Sequence, residues 1–399
     1  MSWIFTFAFL FQINTQSISL PLLQSELIEG VNVSYQFAKS IDLTAKLIEF
    51  SDVSLVQVYY QTETGAKLES QVSITPEGNL FCHIDLTNSP YKVFDRIFYW
   101  FDITYTNGEK VSTPSYWFDY LDNRFDWQKS ESKWFTVYTI PTSSISADEI
   151  QSIALAGLKQ ATGILPVSPD LPMILYVYPD VDSLSSALGL THSEWAAGEA
   201  RPEISVIMVS ESENGDSREE LQRQIPHELM HILEFAIAGD GYSTAPKWLL
   251  EGLATLAENN QTASDLRTLQ KADLEGSLLF MNEICTTFPP QYSQSSLAYL
   301  ESASFVNYLQ KEYGKDSLIE LLQNSASYTD CDQLIQSTYG KDLSYLETDW
   351  LTTIVSPQML NRSKKEYWFL LLIVPLVFFS LAVIKRHGSN DNERKHKVE

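Results

Sequence analysis

The residues best suited to chemistry are two histidines, His227 and His231, which enclose Glu228 in the segment PHELMH at positions 226–231. On an α-helix, positions i and i+4 lie on one face about one turn apart, so both imidazoles can reach the same metal ion. Glu228 lies ~100° around the helix from His227, beside such an ion rather than on it. The spacing predicts a metal-activated water with a carboxylate base next to it, which is the chemistry of hydrolysis.

The alternative is a polar helix face with two unrelated surface histidines. The neighbouring residues Ile225, Leu229 and Ile232 are apolar, which indicates that the helix is substantially buried and that histidines in it need polar partners. The whole chain contains 6 histidines, so a chance pair at this spacing is uncommon. We therefore treat the segment as a candidate metal site.

A catalytic zinc needs a third protein ligand and an open fourth position. One known continuation, HExxHxxGxxH, requires Gly and then His, but Glu234 and Ile237 occupy those positions. A glycine-containing loop at residues 239–244 leads instead into a second predicted helix, with Pro246 near its first turn. That helix contains Glu251.

The segments HELMH and PKWLLEGLA together resemble the gluzincin metallopeptidases, in particular the peptidase MA-like family. The resemblance extends over about residues 134–350. It implies that His227, His231 and Glu251 bind one Zn²⁺ ion, that Glu228 is the general base, and that the substrate is a peptide or protein. In families of this kind, the strand before the active helix is a sheet edge that pairs with substrate, and residues 204–210 are placed to be that strand.

A third segment, around Tyr299, is similar to the helix of gluzincin aminopeptidases in which a tyrosine stabilises the oxyanion, although Glu301 and Ser302 replace the Lys and Gly of that pattern. We expect Tyr299 to be catalytic; the alternative is a core tyrosine, and Tyr242 is the second candidate. The GxMEN motif that holds a substrate amino terminus in those aminopeptidases is absent, which favours an endopeptidase. Glu258 is either a carboxylate that orients a histidine or a solvated helix residue.

Two regions with different patterns must position these residues. From about residue 28 to 126, apolar and polar residues alternate in short runs separated by turn signals such as Asn107-Gly108, which predicts an all-β immunoglobulin- or fibronectin-like sandwich over residues 24–126. After Trp134 the pattern predicts strands at 135–140, 173–178 and 204–210, a helix at 146–161, and mainly helix from about 217 to 354. We interpret residues 134–355 as an α+β gluzincin (thermolysin-like) catalytic domain.

Both ends of the chain carry apolar runs. Residues 1–19 are typical of a signal peptide, with a buried N-terminal strand as the alternative. Residues 367–384 contain no charge, and a helix of that length spans roughly 27 Å, close to the ~30 Å hydrocarbon core of a bilayer. More Lys and Arg residues follow this run than precede it, which predicts a single-pass membrane protein with a cytoplasmic tail at 385–399 and the bulk of the chain outside.

Composition excludes several classes. With 44% hydrophobic residues the chain has ample material for a folded core. Its 27 Lys and Arg against 51 Asp and Glu give a net charge of −24, which excludes a nucleic-acid partner. The 3 cysteines are too few for a disulfide scaffold; Cys285 and Cys331 form a bridge or remain buried thiols. Nothing in the sequence indicates an oligomeric state.

The sequence as a whole predicts a membrane-anchored, extracytoplasmic zinc metallopeptidase, an endopeptidase, with a β-sandwich accessory domain. Two alternatives remain. One is a catalytically inactive cell-surface binding protein on the same scaffold, and the other is a zinc hydrolase that acts on a substrate other than a peptide.

Overall fold

The computed structural model describes residues 27–87, 91–169, 172–190, 198–212, 215–259, 262–328 and 330–354. The chain divides into two compact units. The first comprises residues up to Phe125 together with Ser186–Leu190, and the second comprises the rest. The predicted signal peptide at 1–19, membrane helix at 367–384 and cytoplasmic tail at 385–399 lie outside the described residues. Within the described ranges, none of the helices has both the length and the apolar character needed to cross a membrane.

The first unit consists of antiparallel β-structure in two sheets. Its strands are β1 (Ile28–Gln36), β2 (Ser40–Leu47), β3 (Val53–Gln61), β4 (Leu68–Gln71), β5 (Ser73–Ile74), β6 (Asn79–Asp85), β7 (Asp95–Tyr105), β8 (Lys110–Ser112) and β9 (Tyr116–Tyr120). One sheet has the order β1-β2-β6-β5; in the other, β4, β3 and β7 are neighbours and both β8 and β9 pair with β7. The predicted alternation is confirmed in β7, where Ile97, Tyr99, Phe101 and Ile103 are buried. The β-rich character of this region is therefore as the sequence predicted.

The second unit begins with a five-stranded mixed sheet. Its strands are β10 (Gln128–Glu131), β11 (Phe135–Thr139), β12 (Met173–Tyr178), β13 (Gly198–Arg201) and β14 (Val206–Ser210). The order is β10-β11-β12-β14-β13; β11, β12 and β14 run parallel, while β10 and β13 are antiparallel to their neighbours. The buried, apolar sequences of the parallel strands are typical of strands covered on both faces.

The expectation that residues 204–210 form the edge strand was wrong. Within the described residues, strand β14 lies between β12 and β13, and β13 is the edge. The reason is a short 3-10 turn at Pro202–Ile204 followed by Ser205 in a left-handed conformation (φ 53°), which reverses the chain so that β13 and β14 pair antiparallel. The four residues of β13 are too few and too polar to be recognised as a strand from sequence.

Apart from loops and short 3-10 turns, the rest of this unit's described residues are helical. The helices are α1 (Ala147–Ile164), α2 (Val181–Leu188), α3 (Ser217–Ala238), α4 (Lys247–Ala257), α5 (Ala263–Glu275), α6 (Tyr292–Tyr313), α7 (Lys315–Asn324), α8 (Cys331–Tyr339) and α9 (Leu343–Ile354). Helix α2 extends into the segment Ser186–Leu190 of the first unit. The helix predicted at 146–161 and the largely helical region after residue 217 are confirmed.

Helices α1, α3, α4 and α6 enclose the core of this unit together with the sheet. Two glycines allow the helices to approach closely. A Cβ atom added to Gly157 of α1 would lie 3.0 Å from Cγ of Pro226 in α3, and one added to Gly252 of α4 would lie 2.7 Å from the carbonyl oxygen of Ser302 in α6. Helices α3 and α4, which carry the predicted metal ligands, are thereby packed tightly between α1 and α6.

The structure contains the Cys285–Cys331 bridge, one of the two alternatives that the sequence left open. The two Cα atoms are 6.3 Å apart, and Cys82 is a buried free thiol. The bridge joins the loop before α6 to the first residue of α8.

Candidate metal centre

Helices α3 and α4 bring His227, His231 and Glu251 together. One potential ligand atom from each of these residues lies within 4.8 Å of the other two. Oε2 of Glu251 is 3.3 Å from Nε2 of His227 and 3.8 Å from Nε2 of His231. The two imidazoles project one turn apart from α3, with ring centroids separated by 5.2 Å. The geometry is the one that the i, i+4 spacing predicts.

The Nδ1 atom of each histidine, on the side of the ring away from Glu251, contacts a carboxylate. Nδ1 of His227 is 2.9 Å from Oε1 of Glu258, and Nδ1 of His231 is 2.8 Å from Oε2 of Glu234. A proton on Nδ1 donated to each carboxylate leaves the lone pair on Nε2, which faces Glu251. Glu258 thus makes the contact that an orienting carboxylate would make, whereas sequence reasoning missed Glu234. Its position, three residues after His231 and on the same helix face, is the signal that was available.

The donor set fits a divalent cation. Oε2 of Glu251 is buried and has no hydrogen-bond partner, although an unsatisfied buried carboxylate oxygen is costly. It faces the two Nε2 atoms, so the three atoms present lone pairs to one small space once the imidazoles have released their Nε2 protons. Two imidazole nitrogens and a carboxylate oxygen are the ligands of catalytic zinc sites.

The shifted pKa values of the three residues indicate that, without metal, protons on the histidines balance the negative charge of the carboxylates. Burial alone lowers the pKa of His227, but the approach of Glu251 and Glu258 outweighs burial and raises this pKa to about 10. The pKa of His231 is also raised, since Glu234 opposes the effect of burial. Burial favours the neutral form of Glu251, yet the two histidines hold its pKa well below the usual range. Protonated imidazoles therefore balance the carboxylates, and a divalent ion supplies the same positive charge in place of two protons.

Glu228 lies beside this group and is 6% exposed. Burial raises its pKa, with smaller opposing contributions from His227 and His231. Gly198, at the start of edge strand β13, is packed directly against it, because a Cβ atom at Gly198 would lie 2.6 Å from Oε1 of Glu228. The strand edge therefore passes next to the proposed base. Sequence reasoning missed Gly198, which no turn or spacing signal distinguishes.

Both candidate tyrosines lie near the centre. The ring of Tyr299 is 6.3 Å from that of His227, and burial together with Glu251 and Glu228 raises the pKa of Tyr299 far above its usual value. Tyr242 packs against Phe235 at 5.7 Å, and burial and Glu234 raise its pKa in the same direction. Both hydroxyls therefore keep their protons at neutral pH. Tyr299 lines the adjoining cavity, which makes it the better-placed donor.

A cavity of about 610 Å³ opens onto the centre between β13, α3, α4 and α6. This volume is in the range of sites that enclose small organic ligands or several side chains. Its walls include Gly198, Arg223, His227, Glu228, Glu258 and Tyr299.

A family model described as the peptidase MA superfamily matches residues 150–356, more than half of the chain. Among solved structures, the chain is similar to a mutant of a two-domain M1 zinc metallopeptidase bound to L-arginine, with 13% identity, 81% of this chain and 93% of that chain covered, and a TM-score of 0.38. It is also similar to an aminopeptidase N family protein from Idiomarina loihiensis, with 10% identity, coverage of 81% and 75%, and a TM-score of 0.38. A family 56 carbohydrate-binding module described as a beta-1,3-glucan binding domain has 16% identity, coverage of 22% and 95%, and a TM-score of 0.17. No curated protein matches the chain.

Proposed function

Because the chain belongs to the peptidase MA superfamily, we propose that it is a zinc-dependent peptidase whose metal ligands are His227, His231 and Glu251. The observation that carries this proposal is the buried Oε2 of Glu251, which accepts no hydrogen bond from the described residues and lies 3.3 and 3.8 Å from the Nε2 atoms of His227 and His231. When zinc is bound there, it supplies Lewis-acid chemistry, lowering the pKa of water to about 7 and polarising a carbonyl.

In this proposal, Glu228 transfers protons and Tyr299 donates a hydrogen bond during hydrolysis. Glu228 accepts a proton from the attacking water, and its buried position makes the carboxylate more basic than an exposed glutamate. It then returns that proton to the nitrogen of the leaving amine. Tyr299 keeps its hydroxyl proton and donates a hydrogen bond to the substrate oxygen on which negative charge develops, a contribution typically worth several kcal/mol of barrier.

Edge strand β13 binds the substrate in this proposal. In the described part of the sheet, β13 pairs with β14 on one side, and its other side can accept an extended peptide as an added strand. Because Gly198 lies against Glu228, a peptide paired at this edge passes next to the base. Backbone pairing requires no free chain end, and together with the absent GxMEN motif this favours cleavage of internal peptide bonds.

We also propose that the peptidase is anchored in the cell membrane by residues 367–384, with the catalytic unit on the outer side. The support comes from the sequence: an uncharged apolar run of spanning length followed by a basic tail. Extraction of the full-length protein from membranes at high pH tests the anchor. Release into the soluble fraction would contradict it.

The experiment that tests the function combines metal content with cleavage of a peptide library by the full-length protein and its Glu228→Gln variant. We expect about one zinc per chain in both proteins and cleavage by the unsubstituted protein alone, because Glu228 is a base and not a ligand. Cleavage retained in the variant would refute the role of Glu228. Absence of zinc from both would refute the metal centre, and zinc without cleavage in either would favour a binding protein or a substrate of another class.

A further inference from the structure

The two oxygens of Glu251 have different partners. Lys247 is the first residue of α4, and its i, i+4 position places it on the same helix face as Glu251. Its Nζ is 2.5 Å from Oε1 of Glu251, whereas Oε2 faces His227 and His231. One oxygen is therefore engaged by an ammonium group and the other is directed to the metal centre.

Lys247 is itself fixed at its backbone. Its N–H donates to the carbonyl oxygen of Cys285 at 2.5 Å, and Cys285 is bonded through sulfur to Cys331 in α8. The side chain of Lys247 is 40% exposed, whereas that of Glu251 is 6% exposed. The ammonium group thus reaches a buried carboxylate from a partly exposed position, on a helix end that the disulfide-linked loop holds in place.

We propose that Lys247 is a positioning residue that makes Glu251 a one-oxygen metal ligand. The inference rests on the proposed zinc centre. A carboxylate with two free oxygens can rotate, or can bind a metal through both of them and fill an additional coordination position. A charge-assisted hydrogen bond to Oε1 prevents both, and keeps the open position that a catalytic site needs.

Two other effects of Lys247 make different predictions. Its positive charge repels a cation, so if repulsion were dominant, removing Lys247 would strengthen zinc binding. If the pair only stabilised the helix, it would contribute a little to folding and leave zinc affinity unchanged. A change in zinc affinity on removal of Lys247 therefore distinguishes the three effects: weaker binding indicates positioning of Glu251, tighter binding indicates charge repulsion, and unchanged binding indicates helix stabilisation alone.

The test is the zinc dissociation constant of the full-length protein, measured by competition with a chromophoric chelator. We expect Lys247→Met, which keeps the length of the side chain and removes its donors, to weaken zinc binding about 10–100-fold, the usual effect of losing a partner of a metal ligand. Lys247→Arg keeps a charged donor and should restore most of the affinity. The matched control is Lys271→Met, which removes another i, i+4 pair, Lys271 with Glu275 on α5, and should leave zinc affinity unchanged.

Zinc K-edge X-ray absorption gives a second readout. We expect the Lys247→Met centre to gain a second carboxylate oxygen or a longer mean zinc–oxygen distance, and the Lys247→Arg centre to resemble that of the unsubstituted protein. Equal or tighter zinc binding by Lys247→Met, in a protein whose unsubstituted form binds zinc, would overturn the inference while leaving the proposed function intact. Failure of the unsubstituted protein to bind zinc would overturn both.

Discussion

Glu258 accepts a hydrogen bond from Nδ1 of His227 at 2.9 Å, although His227 lies in α3 and Glu258 caps the C-terminal end of α4. Glu258 follows the last residue of α4, the helix that also carries Glu251. Helix α4 therefore carries a predicted metal ligand, and the residue that caps its end contacts a second one. Arg223, one turn before His227 on α3, approaches the second oxygen of Glu258 at 3.5 Å and forms part of the same cluster.

Replacing Glu258 by Gln should weaken zinc binding about 10-fold or more, because a neutral amide no longer stabilises the Nδ1–H form of His227. The measurement is chelator competition on the purified variant. Glu275→Gln, an exposed carboxylate on α5, is the control and should bind zinc normally. An unchanged zinc affinity in Glu258→Gln would show that His227 needs no such partner.

Replacing Gly198 by Ala should lower kcat about 10–100-fold and leave zinc content unchanged. The added methyl group would lie 2.6 Å from Oε1 of Glu228, so the base must move, and displacements of about 1 Å can cost 10²-fold in rate. Steady-state kinetics with a cleaved peptide provide the measurement. Gly163→Ala on α1, where nothing lies within 4 Å of the added atom, is the matched control. A normal kcat in Gly198→Ala would mean that cleavage does not depend on the position of Glu228 that Gly198 allows, which would contradict its placement as the base.

The contrast between Gly198 and His231 explains how much of this site is predictable from sequence. The histidines lie on one helix, and the 3.6-residue period alone sets their relation. Glu251 needed the family resemblance, since nothing local relates two helices separated by a loop. The β13 edge strand was missed because a four-residue polar strand forms only through pairing with β14, which is a tertiary interaction.

Replacing Gly252 by Ala should lower the free energy of unfolding by about 1–3 kcal/mol, the usual cost of overpacking a close helix contact. The added methyl group would lie 2.7 Å from the carbonyl oxygen of Ser302 and from Cγ2 of Val306, so α4 and α6 must separate. Urea unfolding followed by circular dichroism measures the change. Gly163→Ala should instead stabilise the protein by up to about 1 kcal/mol, because it restricts the unfolded chain without a clash. Equal stabilities of the two variants would contradict the close packing.

Zinc affinity should rise with pH between about 7 and 9. In the metal-free protein the pKa of His227 is raised to about 10 and that of His231 is raised as well, so zinc must displace protons to bind. Each displaced proton contributes up to a tenfold gain in affinity per pH unit below that pKa. Calorimetric titration with zinc in two buffers of different ionisation enthalpy counts the protons released. A titration without proton release would show that the imidazoles are neutral before zinc binds.

Glu301 should make the protein less stable as pH rises from about 5 to 8. Burial, with a smaller contribution from Glu347, raises the pKa of Glu301 to about 8, although both its oxygens accept from the N–H of Leu279. In the unfolded chain this group ionises near its ordinary value of 4.5. The folded state therefore binds the extra proton between these two values, and its stabilising effect, complete below the lower value, is lost as pH rises through the upper one.

The expected loss over that interval is on the order of 2 to 4 kcal/mol. Urea unfolding at a series of pH values measures it. The variant Glu301→Gln cannot ionise, so its stability should change less with pH, with the remaining slope coming from groups whose pKa values are also raised in the folded protein, such as Glu347 and, without metal, His227 and His231. Glu275→Gln, at an exposed position, should keep the full slope. A Glu301→Gln profile parallel to that of the unsubstituted protein would mean that Glu301 ionises alike in the folded and unfolded chains. The contact between α6 and the loop at Leu279 would then be independent of its charge.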